Sequence, residues 1–238
     1  MLVFTGDWHG EYDKAYRKIK NLDLSDCVVI QVGDFGVGFE NNKKREMRKL
    51  VNLNNQLKSR NIDLYAIRGN HDDPSYFDGS VQLSNVKLVA DYTTLNLCGK
   101  KILFVGGAVS VDRKYNPDVK DYRNKPWPGR KEGSNYWKDE IFVLKDIKVS
   151  DVDIVVTHSA PNFCTPYSKV GVEKWIKHDT ELRTLCDDER NSHTILYENL
   201  KKDNNITHWF YGHFHSSNTT YYDETKFILL DILEFYNI

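Results

Sequence analysis

Five short apolar runs in this sequence each end at a glycine or at a side chain that can bind a metal ion, and this pattern constrains the fold most strongly. The runs are four to six residues long and rich in β-branched or aromatic residues, as buried strands are. Ligands of α/β proteins bind beyond the carboxyl ends of the strands, so the five turns are expected to meet. The polar residues that follow the runs are Asp7 and His9, Asp34, Asn70 and His71, His158, and His213 and His215.

The spacing within these turns predicts which side chains share a centre. Residues i and i+2 of an extended backbone point the same way, so Asp7 and His9 are expected to face one centre. By the same argument, His213 and His215 can reach two neighbouring centres. The set combines imidazole with carboxylate and amide oxygen and contains no thiolate, which suits Mn, Fe, Zn, Co or Ni.

Length and composition favour a single domain over residues 1–238. The sequence has no internal repeat, low-complexity tract or obvious linker, and 40% of its residues are hydrophobic. Its formal net charge of −1 gives no overall field that would attract nucleic acid or an anionic membrane surface. The sequence fixes no oligomeric state.

The N-terminus and the cysteines predict a cytoplasmic protein without membrane contact. No basic region precedes a long apolar segment near the N-terminus, and no apolar run approaches the ~20 residues of a membrane span. The four cysteines are widely scattered and show no CxxC spacing. Such cysteines are expected to be reduced thiols.

Apolar periodicity predicts helices over residues 11–22, 40–60, 134–147 and 179–203. A hairpin is expected to turn at Cys98-Gly99-Lys100, and another over 218–232. Residues 112–137 hold several prolines and aromatic residues and are predicted to form a long ordered loop, a cap-like insertion in the domain. Long loops inside compact domains are usually functional.

The five blocks, in this order, resemble the calcineurin-like metallophosphoesterase superfamily, whose pattern is D-x-H, GD, GNH(D/E), H and GHxH. The resemblance spans residues 6–215. It implies an α/β fold, a four-layer α/β/β/α sandwich of two mixed β-sheets flanked by helices. It also implies two divalent metal ions, with manganese expected first and Fe, Zn, Ni or Co as alternatives.

The resemblance also implies a role for each block. A hydroxide that bridges the two metals would attack phosphorus in line, and His71, as imidazolium, would protonate or stabilise the departing alkoxide. The implied ligands are Asp7, His9 and His215 for the first metal, Asn70, His158 and His213 for the second, and Asp34 as the bridge.

The second block departs from the protein Ser/Thr phosphatases of the superfamily. Those enzymes carry GDxxDRG, whereas this chain reads GDFGVGF and lacks the arginine that grips phosphate. Arg113 and Arg123, in the predicted loop, are the expected replacements, and Arg130 is a further candidate. Arginine suits the task because its planar fork binds two phosphate oxygens at once.

The expected function is hydrolysis of a phosphomonoester or small phosphodiester. A nuclease of the same superfamily is the alternative, but nucleases need a positive groove that tracks the phosphate backbone. The net charge of −1 and the lack of a long basic stripe disfavour nucleic acid as the substrate. A catalytically silent metal-bound binding module comes third, because such a module has no need for His71.

Overall fold

The structure is a computed structural model and describes residues 1–38, 42–134, 136–168 and 171–238. Its helices are α1 (Tyr12–Asn21), α2 (Lys43–Lys58), α3 (Glu173–Ile176) and α4 (Leu182–Leu200), with a 3-10 turn at Pro74–Phe77. Its strands are β1 (Leu2–Thr5), β2 (Cys27–Gln31), β3 (Ile62–Ala66), β4 (Val86–Leu88), β5 (Thr93–Leu97), β6 (Lys100–Val105), β7 (Asn116–Lys120), β8 (Pro126–Trp127), β9 (Ile154–Thr157), β10 (His208–Tyr211), β11 (Asn218–Tyr222), β12 (Thr225–Leu229) and β13 (Phe235–Asn237).

Two large mixed sheets form the centre of the fold. The first has the order β13-β1-β2-β3-β4, in which β1 to β4 are parallel and β13 is antiparallel to β1. The second has the order β11-β12-β10-β9-β6-β5, in which the four inner strands are parallel and the two edge strands antiparallel. Parallel strands are buried on both faces, which explains why the apolar runs in the sequence are continuous rather than alternating.

Apolar cores join the sheets and helices in four layers. Ile19 of α1 and Leu50 of α2 pack against the first sheet. Between the two sheets, the ring of Phe4 stacks on that of Phe210 with centroids 3.6 Å apart. Leu196 of α4 packs against the second sheet. The predicted α/β/β/α sandwich of two mixed sheets is therefore confirmed.

Most predicted elements lie close to their expected bounds. The five apolar runs form β1, β2, β3, β9 and β10. The hairpin at Cys98-Gly99-Lys100 joins β5 to β6, and the hairpin predicted over 218–232 is formed by β11 and β12. The helix predicted over 40–60 is α2, although residues 40 and 41 lie outside the described residues. Strand β13, which pairs with β1 and closes the first sheet, was not predicted.

The helix predicted over 134–147 is wrong for the residues that the structure describes there. Residues 136–147 have turn and irregular backbone. The buried guanidinium of Arg68 donates to the carbonyl oxygens of Asp139, Glu140 and Ile141 at 3.1, 2.6 and 3.1 Å. These carbonyl groups, which would accept backbone N–H groups in a helix, accept the N–H groups of Arg68 instead. The helical spacing of apolar residues in this segment therefore did not correspond to a helix.

The insertion at 112–137 is more regular than a loop. Strands β7 and β8 form a small antiparallel pair within it. The pair is tied to the segment around α3, where Lys177 Nζ lies 2.6 Å from an Asp118 carboxylate oxygen and Asn116 Nδ2 donates to the Lys174 carbonyl at 2.9 Å. The insertion and the segment that follows β9 therefore support each other.

In the described part of the chain, none of the helices has the length and apolar character needed to cross a bilayer. All four cysteines are free thiols.

Candidate metal centre

Four predicted ligands from three different turns meet in one compact cluster. One donor atom from each of the four side chains lies within 4.8 Å of the others, and the carboxylates of Asp7 and Asp34 are buried. Nε2 of His9 and Nε2 of His215 are 3.1 Å apart, and the latter is 3.2 Å from Asp7 Oδ2. The cluster consists of Asp7, His9, Asp34 and His215.

The remaining three predicted ligands form a second group beside the first. Asn70 Oδ1 lies 3.1 Å from His158 Nε2 and 2.9 Å from His213 Nδ1. His158 Nε2 is also 3.3 Å from Asp34 Oδ1. Asp34 therefore contacts both groups, one through its Oδ1 and the other through its Oδ2, which is 3.7 Å from His9 Nδ1.

The backbone at these turns is left-handed rather than extended. Positive φ angles occur at four of the seven predicted ligands: His9 (46°), Asp34 (54°), His213 (69°) and His215 (46°). The side chains of Asp7 and His9, and those of His213 and His215, therefore do not converge through the i, i+2 geometry of an extended strand that was predicted. They converge through left-handed turns. Left-handed non-glycine residues are uncommon, and strained backbone of this kind clusters at functional sites.

Two glycines let the ligands approach the backbone closely. Gly33 has a φ of +103°, and a Cβ there would overlap the His158 ring. A Cβ at Gly212 would overlap the carboxylate of Asp7. Glycine is needed at both places because of close contact, and at Gly33 also because of backbone conformation.

Asp72 holds two ligand turns in place, a role that was not assigned from the sequence. Its buried carboxylate accepts hydrogen bonds from the backbone N–H groups of Phe35, Gly36, Val37 and Gly69 at 2.6–3.0 Å. It thereby joins the turn after β2 to the turn after β3. Asp72 occupies the fourth position of the GNH(D/E) block, so the motif could have identified it. Its hydrogen bonds to four backbone N–H groups explain why a carboxylate stands there.

Further buried groups orient Asn70 and His158. Nδ2 of Asn70 donates to Ser110 Oγ at 3.0 Å, so its Oδ1 faces the two imidazoles. Glu140 accepts from the backbone N–H of Ser110 at 2.9 Å and fixes that residue. Nδ1 of His158 lies 2.9 Å from the Val32 carbonyl, which can only accept, so Nδ1 carries the proton and Nε2 points into the cluster.

Asp34 and His158, which are both buried, perturb each other's pKa. Burial disfavours the charge on Asp34, but the neighbouring His158, His71 and His9 hold the pKa of this carboxyl well below its usual range. Burial alone would lower the pKa of His158, yet the carboxylate of Asp34 raises it to about 10. In the metal-free protein, each of these two residues therefore favours the charged form of the other.

Burial disfavours the imidazolium that was predicted for His71 in the metal-free protein. Burial lowers the pKa of His71 to about 4, and the Arg130 cation adds to the effect while Asp34 opposes it. Nη2 of Arg130 lies 3.3 Å from His71 Nε2. A guanidinium has no acceptor, so His71 Nε2 must accept in this contact and cannot carry the proton.

Arg130 is thus the loop arginine that lies beside the cluster. Its Nε and Nη2 donate to the two carboxylate oxygens of Asp112 at 2.5 and 2.6 Å, and its guanidinium lies 5.7 Å from the ring centroid of Trp127. These contacts fix the plane of the guanidinium.

Arg113 and Arg123, the expected phosphate ligands, contact other carboxylates. Arg113 forms a two-point ion pair with the buried Asp179, at 2.6 and 3.1 Å. Arg123 pairs with Asp121 within an exposed turn of the insertion. Charge and sequence position do not reveal the direction of a side chain, and the phosphate-binding role of Arg113 and Arg123 stays a prediction.

The model of the calcineurin-like phosphoesterase family matches residues 1–217. No curated protein matches the sequence. Among solved structures, a phosphopantetheinyl hydrolase from Mycobacterium tuberculosis is similar, at 14% identity and a TM-score of 0.46, over 98% of this chain and 89% of that one. The anchor in the inner membrane complex of Plasmodium is similar at 13% identity and a TM-score of 0.40, over 97% and 70%.

Proposed function

This chain belongs to the calcineurin-like phosphoesterase family, and from that premise we propose that it hydrolyses a phosphomonoester or small phosphodiester with two divalent metal ions. The family implies metal-dependent hydrolysis of phosphate esters. The observation that carries the finer proposal is the contact of Asp34 with both groups of candidate ligands, at 3.3 Å to His158 and 3.7 Å to His9.

The donor set fits two divalent ions. Buried carboxylate and imidazole groups point their acceptor atoms at common points, and the facing Nε2 atoms of His9 and His215 cannot both carry a proton. Asp7, His9 and His215 would hold one ion, Asn70, His158 and His213 the other, and Asp34 both. When bound, such ions supply a nucleophile by lowering the pKa of water and polarise phosphoryl oxygens. Manganese is our first expectation.

Arg130 is proposed as the phosphate-binding arginine. It is held by Asp112 and lies 3.3 Å from His71. His71 is proposed to orient Arg130 by accepting its Nη2–H. The role of His71 as a proton donor to the leaving group stays a prediction.

The test is Asp34→Asn, with Asp188→Asn on the exposed side of α4 as the control. Loss of the shared negative charge should weaken binding of both ions and remove most hydrolysis of phenyl phosphate in Mn²⁺. Asp188→Asn should retain both. Elemental analysis that found two tightly held ions in folded Asp34→Asn would refute the bridging role.

A further inference from the structure

A cavity of about 510 Å³ opens beside the candidate metal centre, with His213 in its wall. We propose that this cavity binds the organic group of the substrate, and that this group is an uncharged, ring-bearing alcohol. The inference rests on the proposed function and adds the substrate class to it. Three properties of the cavity carry the proposal: its position, its size and the chemistry of its wall.

The position links the cavity to the reacting phosphate. His213 belongs both to the wall and to the candidate ligand set, where its Nδ1 faces Asn70 Oδ1 at 2.9 Å. The wall also includes Val111 just before the insertion, Pro166 after β9, and Cys186 of α4. A phosphate held at the metals would thus have its ester substituent directed into this space.

The size of the cavity leaves room for a substrate that carries an organic group larger than its phosphate. A volume of 510 Å³ corresponds to roughly 17 water molecules at about 30 Å³ each. It lies within the range of about 300–1,000 Å³ that is typical of sites for small organic ligands. A phosphate group alone would leave most of the cavity filled with water.

The wall offers ring and apolar surface together with hydrogen-bonding groups. Phe214 and Pro166 supply flat apolar surface, and the wall also contains Thr165 and Asn162. The guanidinium of Arg190 lies 5.1 Å from the centroid of the Phe214 ring and holds that wall in place. Such a combination suits a ring that presents an apolar face and a few polar edges.

The charges of the wall disfavour an anionic group. The N–H groups of Arg190 are already engaged, since its guanidinium makes four hydrogen bonds to the carbonyl oxygens of Pro161, Cys164 and Pro166. Asp187 and Glu189 also line the cavity. A carboxylate or second phosphate in the cavity would meet Asp187 without a guanidinium N–H fork to receive it. An uncharged ring would meet no such repulsion from Asp187.

Occupancy can be measured without turnover, because Cys186 lines the cavity while Cys98 is exposed elsewhere. The Mn²⁺-loaded protein is alkylated with iodoacetamide, with and without phenylphosphonate, and each cysteine is followed by peptide mass spectrometry. Phenylphosphonate at about ten times its Kd should leave about a tenth of the sites open and slow alkylation of Cys186 accordingly. Cys98 is the internal control and should react at an unchanged rate.

The charge preference is tested with two substrates of matched shape, phenyl phosphate and 4-carboxyphenyl phosphate. Wild-type protein should prefer phenyl phosphate in kcat/KM. Asp187→Lys should raise the relative kcat/KM of the carboxylated substrate about fivefold or more, because a repulsive charge becomes attractive. Asp188→Lys adds the same charge at the next, exposed position of α4 and should leave the ratio unchanged.

The outcomes separate this inference from the proposed function. Protection of Cys186 by phenylphosphonate in a protein that hydrolyses no phosphoester would support the cavity and refute the enzyme. Hydrolysis of phenyl phosphate with an unprotected Cys186 would refute the cavity and keep the enzyme. Equal protection by inorganic phosphate, or equal ratios in the two lysine variants, would also overturn the inference.

Discussion

Arg130→Ala is the substitution that tests the candidate site most directly. The guanidinium lies 3.3 Å from His71 Nε2 and is aligned by two hydrogen bonds to Asp112. Hydrogen bonds to charged groups contribute about 1.5–3 kcal/mol. If Arg130 donates one such hydrogen bond to the substrate phosphate in the transition state, the loss of that bond lowers kcat/KM by about 10- to 150-fold, since 1.36 kcal/mol is tenfold in rate.

Arg130→Lys gives a second, graded result. Lysine retains the positive charge but cannot bind Asp112 with two parallel N–H groups, so its charge is held less firmly and kcat/KM should fall between wild type and Arg130→Ala. The alanine variant should also shift the pH profile. Arg130 is one of the groups that lower the pKa of His71, so its removal raises that pKa. Where protonation of His71 sets the acid limb of the activity–pH profile, that limb moves to higher pH in Arg130→Ala.

The assay is hydrolysis of phenyl phosphate in Mn²⁺, with urea unfolding of each variant to correct for stability. Arg123→Ala is the matched control, since Arg123 pairs with Asp121 in an exposed turn and should not affect kcat/KM. The reasoning is refuted if Arg130→Ala folds, keeps its metals and retains wild-type kcat/KM. It is equally refuted if Arg123→Ala loses as much activity as Arg130→Ala.

Three further predictions follow from the buried groups around the site. Gly33→Ala should displace the His158 ring and abolish high-affinity binding of one ion, measured by elemental analysis; two retained ions would contradict the close approach. Burial raises the pKa of Glu140 to about 8, so the folded protein keeps a proton that the unfolded chain releases near 4.5, and this stability is lost as the pH rises towards and through 8. Glu140→Gln should therefore flatten urea stability between pH 5 and 8 relative to wild type, and parallel curves would contradict the assignment. Mn²⁺ binding to chelator-treated protein should release about one proton from His158, so calorimetric heats should depend on the ionisation enthalpy of the buffer; buffer-independent heats would exclude it.

The sequence predicted the strands that position the site because short continuous apolar runs have few alternatives. Once such runs form parallel strands, their carboxyl ends share an edge, and the polar residues that follow them must lie near one another. Asp34 and His158 come from different sheets, and the ordered blocks still placed them together. The part of the site that depends on strand order was therefore predictable.

The parts that depend on side-chain direction were not predictable. Arg113 and Arg130 have the same charge and lie in the same insertion, but Arg113 faces Asp179 and Arg130 faces His71. The protonation state of His71 depends on burial and on that neighbouring cation, neither of which is visible in a sequence. The helix expected over 134–147 failed for a related reason, since Arg68 binds carbonyl groups there from a distant strand end.

The charge balance of the cluster explains why its ligands can be buried before a metal arrives. Asp7 and Asp34 are two carboxylates almost without solvent contact, and two unpaired buried charges would be strongly unfavourable. The Asp34 carboxylate raises the pKa of His158 to about 10, so His158 supplies a compensating proton in the metal-free protein, and Asp7 raises the pKa of His215 in the same direction. A divalent ion would replace the proton of His158 with charge of the same sign at the same place. At the left-handed turn of Asp34, the Asp72 carboxylate binds the backbone N–H groups that follow, so the conformation of this turn is held by the fold itself.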